Sequence, residues 1–297
     1  MNWFRKHFVT LIIVAVLLAG LGLLAYPSIA NYWNSFHQTR VIMGYQDTVS
    51  KMDKADYERI LKAAKEYNKK LSETGIRWTL SEPEKKEYKK QLRVDKTGVM
   101  GYISIPKIHV RLPIYHGTDE AVLQVSIGHL EGTSLPVGGK SSHCMVSGHR
   151  GLPSASLFTD IDKLREGDTW TMTILNETLT YEADKIWIVE PNDLSKLKIE
   201  KGKDLCTLIT CTPYGINTHR LLVRGHRISN LNGTADVTAD AIQIEPKYVA
   251  PFVAGPVLLL LILLLLFRTR KSRRVPLKNT YMDRRGLKRI IIPRTKS

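Results

Sequence analysis

The chain has 297 residues and a formal net charge of +16. Twelve Lys/Arg after Phe267 face one acid, Asp283, and Arg5 and Lys6 precede Tyr26 with none, so only three of the sixteen charges fall to the middle. With no basic stripe interleaved with aromatics there, the composition argues against a nucleic-acid partner, and an odd, low count of three cysteines argues against a disulfide framework.

Phe8 to Ala25 is an uncharged apolar run of 18 residues behind Arg5 and Lys6. It is long enough to cross a bilayer as a helix. A cleaved signal peptide is the alternative, with Ser28-Ile29-Ala30 as the cleavage site, but the apolar core is long for one. Residues 28–98 read as a helical extension. Tyr45 to Leu71 lacks Gly and Pro and repeats apolar residues at helical spacing, from Val49 and Met52 through Ile60, Leu61 and Ala64 to Leu71. Gly75 ends that pattern. Trp78 then sits in a polar connection and needs a place for its ring, and Glu82-Pro83 follow.

From Val99 the pattern changes to short strands. Gly101–Ile105 alternates, Pro106 interrupts, and Ile108–Ile114 alternates again. Cys144–Val146 is a short apolar strand that ends at Ser147-Gly148-His149-Arg150-Gly151. Ser156 to Leu164 has the spacing of a helix. Trp170–Leu175 and Thr180–Val189 flank a hairpin at Asn176-Glu177-Thr178. Leu205–Thr210 is closed by Cys211-Thr212-Pro213, and His219–Ile228 is the last strand. Short strands separated by turn signals predict a closed or nearly closed β-barrel over residues 99–230. A linker at 231–247 leads to a second apolar run, Tyr248–Phe267, and a basic tail at 268–297. Positive flanks at both spans predict a two-pass membrane protein with both termini cytoplasmic and the middle on the extracellular face. The tail's charge fits a lipid surface.

Three polar features interrupt the apolar strands: Cys211, His149 and Arg220. A thiolate is a nucleophile, an imidazole can hold a proton and return it to a leaving amine, and a guanidinium suits a developing oxyanion. Together they are sufficient parts for acyl transfer. Each alone has a plainer reading. Cys144 and Cys206 read as core residues, and spacing does not choose among His149, His219 and His226. No CxxC or HExxH spacing suggests a metal.

These segments resemble the sortases. Thr207-Leu208-Ile209-Thr210-Cys211 matches their TLxTC signature. Val146 to Pro153 resembles the segment bearing their histidine, and Tyr214 to Arg227 the segment bearing their arginine. Gly101 to Ile108 and Leu130 to Ser134 fit as well, so the likeness covers roughly residues 60–230. It implies an eight-stranded sortase barrel in a mainly β protein with an N-terminal helical extension and two flanking transmembrane helices. It also implies that His149, Cys211 and Arg220 converge. The implied reaction cleaves a Leu-Pro-x-Thr-Gly sorting signal between Thr and Gly. It passes through a thioacyl enzyme at Cys211, with protonated His149 beside the thiolate and Arg220 at the oxyanion. No cofactor and no metal are implied.

The second span, the helical extension, the Tyr214–Arg227 stretch and Leu152-Pro153 resemble class C, the pilin-polymerising sortases of Gram-positive bacteria. There the resolving amine is a lysine of another pilin subunit. A cell-wall cross-bridge amine, as for housekeeping sortases, is the alternative, and an idle membrane scaffold is the non-enzymatic one. Class C enzymes carry a lid with an Asp-Pro-aromatic motif. At about 72–95 this chain instead shows Trp78 and then Ser81-Glu82-Pro83. The departure favours Trp78 packing on the barrel away from Cys211; a lid built from Trp78, Glu82 and Pro83, with Trp78 as the plug, is the alternative.

Overall fold

The computed structural model describes residues 2–230 and, beyond them, Gly255, Leu258, Leu259, Ile262 and the segments 280–282 and 288–290. The linker, most of the second apolar span and most of the basic tail lie outside the described residues. The chain divides into two units, Met1–Ile242 and Gln243–Ser297. In the second, Thr280–Met282 pairs antiparallel with Lys288–Ile290.

The first unit opens with one helix, α1 (Asn2–Ser50), which carries the first apolar run and continues past Pro27. It is long and apolar enough to cross a membrane. Its later turns bury Ile42, Tyr45 and Val49. The helical pattern expected to run unbroken from Tyr45 to Leu71 is split. Asp53 caps a second helix, α2 (Lys54–Thr74), its Oδ1 accepting from the Asp56 N–H at 2.7 Å. That cap lets α2 turn back onto the barrel, where Asn68 exchanges two hydrogen bonds with the Leu135 backbone. Gly75 closes α2 at φ 81°, as expected of a glycine. A short helix, α3 (Glu82–Tyr88), follows with Ser81 and Glu84 forming a capping box.

Eight strands then close a barrel, as the sequence predicts. They are β1 (Val99–Ile105), β2 (Val110–His116), β3 (Ile127–His129), β4 (Ser142–Gly148), β5 (Thr169–Ile174), β6 (Glu177–Val189), β7 (Asp204–Thr212) and β8 (His219–Ile228). Around the barrel the order is β1-β2-β3-β4-β7-β8-β6-β5. Alternation sends Cys144, Val146, Cys206, Leu208, Leu221 and Val223 into the main core with Ile103, Trp170 and Tyr181. The other face of β4, β7 and β8 carries a smaller cluster of Met145, Ile209 and Leu222. Leu197 and Ile76 pack on it from outside the barrel. Closure leaves no open sheet edge in the barrel.

Two local expectations are corrected, and one short helix is added. Ser156–Leu164 is not a helix: only Ile161–Lys163 makes a 3-10 turn. Leu157, Phe158, Ile161 and Leu164 are buried as helical spacing suggests. The backbone, however, bonds outward, with the Phe158 N–H donating to the His149 carbonyl, and Leu157 adopts φ 36°. A four-residue helix, α4 (Glu120–Leu123), lies elsewhere. The β5–β6 turn is tighter than Asn176-Glu177-Thr178, because Glu177 already pairs with Ile174 and only Leu175 and Asn176 bridge the strands.

Candidate functional site

β4 and β7 run parallel, and their partners differ by a constant 62 positions, from Ser142↔Asp204 to Ser147↔Ile209. Two hydrogen bonds carry that offset past the ladder. Thr210 Oγ1 donates to the Gly148 carbonyl at 2.7 Å, and Arg150 Nη1 donates to Thr212 Oγ1 at 3.2 Å. His149 and Cys211, also 62 apart, are bracketed between them. Adjacent strands lie about 4.8 Å apart. On the other side, β7 pairs antiparallel with β8, and Cys211 stands directly opposite Arg220. The strand alternation that turns Met145, Ile209 and Leu222 outward gives Cys211 and Arg220, and His149 by extension, that same outer face. Cys211 and Arg220 therefore share the outer face at one end of the barrel, and His149 follows directly on the β4 end beside them.

Cys211 lies inside β7 rather than just past its end, and it is a half-buried free thiol. His149 has its Nε2 3.7 Å from Glu120 Oε2, at the start of α4. Glu120 is itself held by the Gln124 amide. Arg220 leans on the β7–β8 loop, its Nη1 donating to the carbonyls of Asn217 and His219 at 3.3 and 3.2 Å. An open cleft of about 580 Å³ lies at the same end of the barrel, lined by Arg150, Asp162, Trp187, Ile188, Thr212, Pro213 and Tyr214 among others; its lining takes in Thr212, the neighbour of Cys211, but not Cys211, His149 or Arg220 themselves. Arg150 is fixed by Asp162 at 2.5 Å and lies 5.9 Å from the Tyr214 ring centre. Sequence reasoning assigns Arg150 no role, and nothing local links Glu120 to His149, because only folding joins them.

The remaining buried cysteines and histidines serve packing. Burial pushes the Cys144 thiol well up, and Cys206 is fully buried. His129 accepts from Tyr88 Oη at Nδ1 and donates to the Ser134 carbonyl from Nε2, both at 2.9 Å. Burial lowers its pKa to about 4. His143, donating to the Lys198 carbonyl and accepting from Thr207, is likewise lowered to about 4 by burial. A thiol that resists ionisation and an imidazole with both nitrogens engaged are poor acyl-transfer groups.

The candidate lid segment passes over the outer face. Ile76 packs on the Met145–Ile209–Leu222 cluster, and the Arg77 N–H donates to the Gly132 carbonyl at 3.0 Å. Gly132 has φ 79°, and a Cβ there would meet the Arg77 carbonyl oxygen at 1.9 Å, so the segment needs that glycine. Trp78 is 41% exposed, so its ring does not find the burial expected of it. Glu82 and Pro83 lie in the first turn of α3. Among the described residues no cluster of His, Cys, Asp and Glu could hold a metal ion.

The family model described as the sortase domain matches residues 103–228. Sortase C1 of Streptococcus agalactiae is 62% identical, with a TM-score of 0.63 over 64% of this chain and 99% of that one. The Streptococcus pneumoniae sortase C structure is 44% identical, with a TM-score of 0.58 over 64% of this chain and 97% of that one. Sortase A of Staphylococcus aureus is 28% identical over 222 residues, 73% of this chain and 93% of that protein. The chain belongs to the sortase family of cysteine transpeptidases, and its structural neighbours include class C pilin sortases.

Proposed function

We propose that this sortase joins pilin subunits through Cys211, His149 and Arg220. The observation that carries the reading is the bracketing of His149 against Cys211, with Arg220 directly across β7–β8. The Cys211 thiolate attacks the carbonyl carbon of the Thr–Gly bond in a Leu-Pro-x-Thr-Gly signal. The oxyanion forms beside the Arg220 guanidinium. Protonated His149 gives its proton to the departing glycine amine, leaving a thioester. An incoming lysine amine yields its proton to neutral His149, attacks the thioester and releases the thiolate. The product is an isopeptide bond.

Class C chemistry is supported by the 62% identity to sortase C1 of Streptococcus agalactiae. A cell-wall amine is the second reading, favoured by the long match to Staphylococcus aureus sortase A. The segment at 72–95 acts as the lid, with Ile76 as its contact on the outer face and Trp78 two residues on. The proposed layout is a membrane helix within residues 1–27, the extension at 28–98, the catalytic barrel at 99–230, a linker at 231–247, a second span at 248–267 and a cytoplasmic tail at 268–297.

Mass spectrometry of the full chain in detergent, incubated with a Leu-Pro-x-Thr-Gly peptide, tests this. The expected result is an acyl adduct on Cys211 that a lysine peptide resolves faster than a glycine-peptide amine does. An adduct on Cys144, or none in a chain lacking residues 72–95, would sink the assignment. Faster resolution by the glycine amine would favour the cell-wall reading.

A further inference from the structure

Asn31, Asn34 and Gln38 recur along one face of α1 at helical spacing. Asn31 Oδ1 accepts from the Ser156 N–H, Asn34 Nδ2 donates to the Ser154 carbonyl, and Gln38 Nε2 donates to the Val125 carbonyl, each at 2.8 Å. Further on, Tyr45 Oη donates to the Met100 carbonyl at 2.9 Å and accepts from the Leu175 N–H at 2.7 Å. These contacts lie at opposite ends of the barrel. Ser154 and Ser156 belong to the connection that begins at His149. Val125 leads into β3, whose Ile127 pairs with Gly148. Leu175 is the β5–β6 turn, from which β6 runs the whole wall to Val189, opposite Arg220. So α1 meets the Cys211 end first and the far end last.

The lengths agree. Asn34 to Tyr45 is about 16 Å of helix. A seven-residue strand tilted by about 40° stands about 18 Å tall. The helix therefore runs close to the barrel axis. Its apolar run ends at Ala25, and Asn31 lies only about 9 Å farther along. The headgroup layer beyond the hydrocarbon is itself about 6 Å deep. Tyr32, Trp33 and Phe36 expose 54, 64 and 47% of their surface at this level, as interfacial aromatics do. At the same end of the barrel, Ile216 tips the β7–β8 loop and is 69% exposed.

We infer that the Cys211 end of the barrel rests on the outer leaflet, with Ile216 in the phospholipid headgroup layer, so that the site works on peptides held at the membrane surface. The inference rests on α1 spanning the membrane. The occupant of the exposed rim is lipid, because the same helix that crosses the bilayer docks this end of the barrel beside it.

The test uses the full chain in phosphatidylglycerol–phosphatidylcholine vesicles, in a Cys211→Ala background. A fluorophore is placed at Ile216→Cys, at Asn176→Cys on the opposite turn, or at Leu18→Cys. Thr218→Cys on the same loop replaces Ile216→Cys if the latter does not fold. The expected result is loss of most of the Ile216 signal with headgroup-nitroxide lipid, none at Asn176, and quenching of Leu18 by acyl-chain nitroxide. If Leu18 is not quenched, the spanning reading fails and the inference with it. If Leu18 is quenched but Asn176 is the label that loses signal, or neither end does, the inference is overturned while the span stands. An Ile216 label untouched by lipid but shifted by a sorting-signal peptide makes the loop a peptide contact and also overturns it.

Discussion

The two faces of β4, β7 and β8 are built from alternate residues of the same strands, yet they are different chemical environments. Inward, Cys144 and Cys206 sit side by side in the ladder, sealed among apolar groups. Outward, five residues farther along β7 from Cys206, Cys211 is half-buried and stands opposite Arg220 in the ladder. Between the extremes, the outer face is covered at Met145, Ile209 and Leu222 by Ile76 and Leu197. Reactivity here is decided by which side of the sheet a residue faces and how near it lies to the open end. A cysteine in a β-strand is not reactive by type.

The largest break in that comparison is exchange of the nucleophile. Cys211→Ala should lower peptide turnover by at least ~1,000-fold with little effect on stability. Cys144→Ala should leave turnover within ~3-fold while costing about 1–2 kcal/mol of stability, read from urea melts. The reverse pattern would mean the inner face carries the chemistry. Next, Thr210→Val keeps shape but removes the bond to the Gly148 carbonyl. Leaving that carbonyl unpaired costs about 1–3 kcal/mol. Freeing the His149 segment should lower kcat/KM by ~10-fold or more, since misplacement of about 1 Å can cost 100-fold. Unchanged kinetics would show that the bracket does not position His149.

The buried histidines sharpen the contrast through pH. His129 and His143 have folded pKa values lowered to about 4, below the unfolded value of 6.5. The unfolded chain then binds more protons between those values, so stability is full above pH 6.5 and falls as the pH drops toward 4. At about 1.4 kcal/mol per pKa unit, each histidine contributes about 3 kcal/mol of that fall. A urea midpoint that rises between pH 6.5 and 4.5 would contradict this. The smallest effect concerns the roof. Ile76→Ala should cost about 1 kcal/mol and raise the alkylation rate of Cys211 severalfold. An unaltered rate would leave the 72–95 segment as a strap remote from the thiol.

Much of this was legible in the sequence, for identifiable reasons. The strands carrying Cys211 and Arg220 are long apolar runs bounded by turn residues, so they show without a strict alternation. β3 has only three residues, too few for a period, and went unread. Ser156–Leu164 imitated a helix because four buried apolar residues happen to fall at helical spacing, while its backbone bonds to the His149 segment. The break at Asp53 was hidden because apolar spacing continued through it and only the cap marks it. The partners of His149 were invisible for a different reason. Glu120 comes to it through tertiary contact, and Thr212 holds the neighbouring Arg150 across an offset of 62 residues; no local pattern encodes either.

Finally, α1 has no slack. As a flexible tether, the stretch from Ala25 to Asn31 would let the barrel swing through about 13 Å in any direction. As one continuous helix, bonded to the barrel at Asn31, Asn34, Gln38 and Tyr45, it works as a mast. If α1 spans the bilayer as proposed above, that mast fixes height and heading, and a substrate on the same surface is met by a search in two dimensions rather than three. Encounters then depend on surface density and lateral diffusion. A glycine-rich insertion just after Ala30 would change capture rate and leave the chemistry at Cys211 alone.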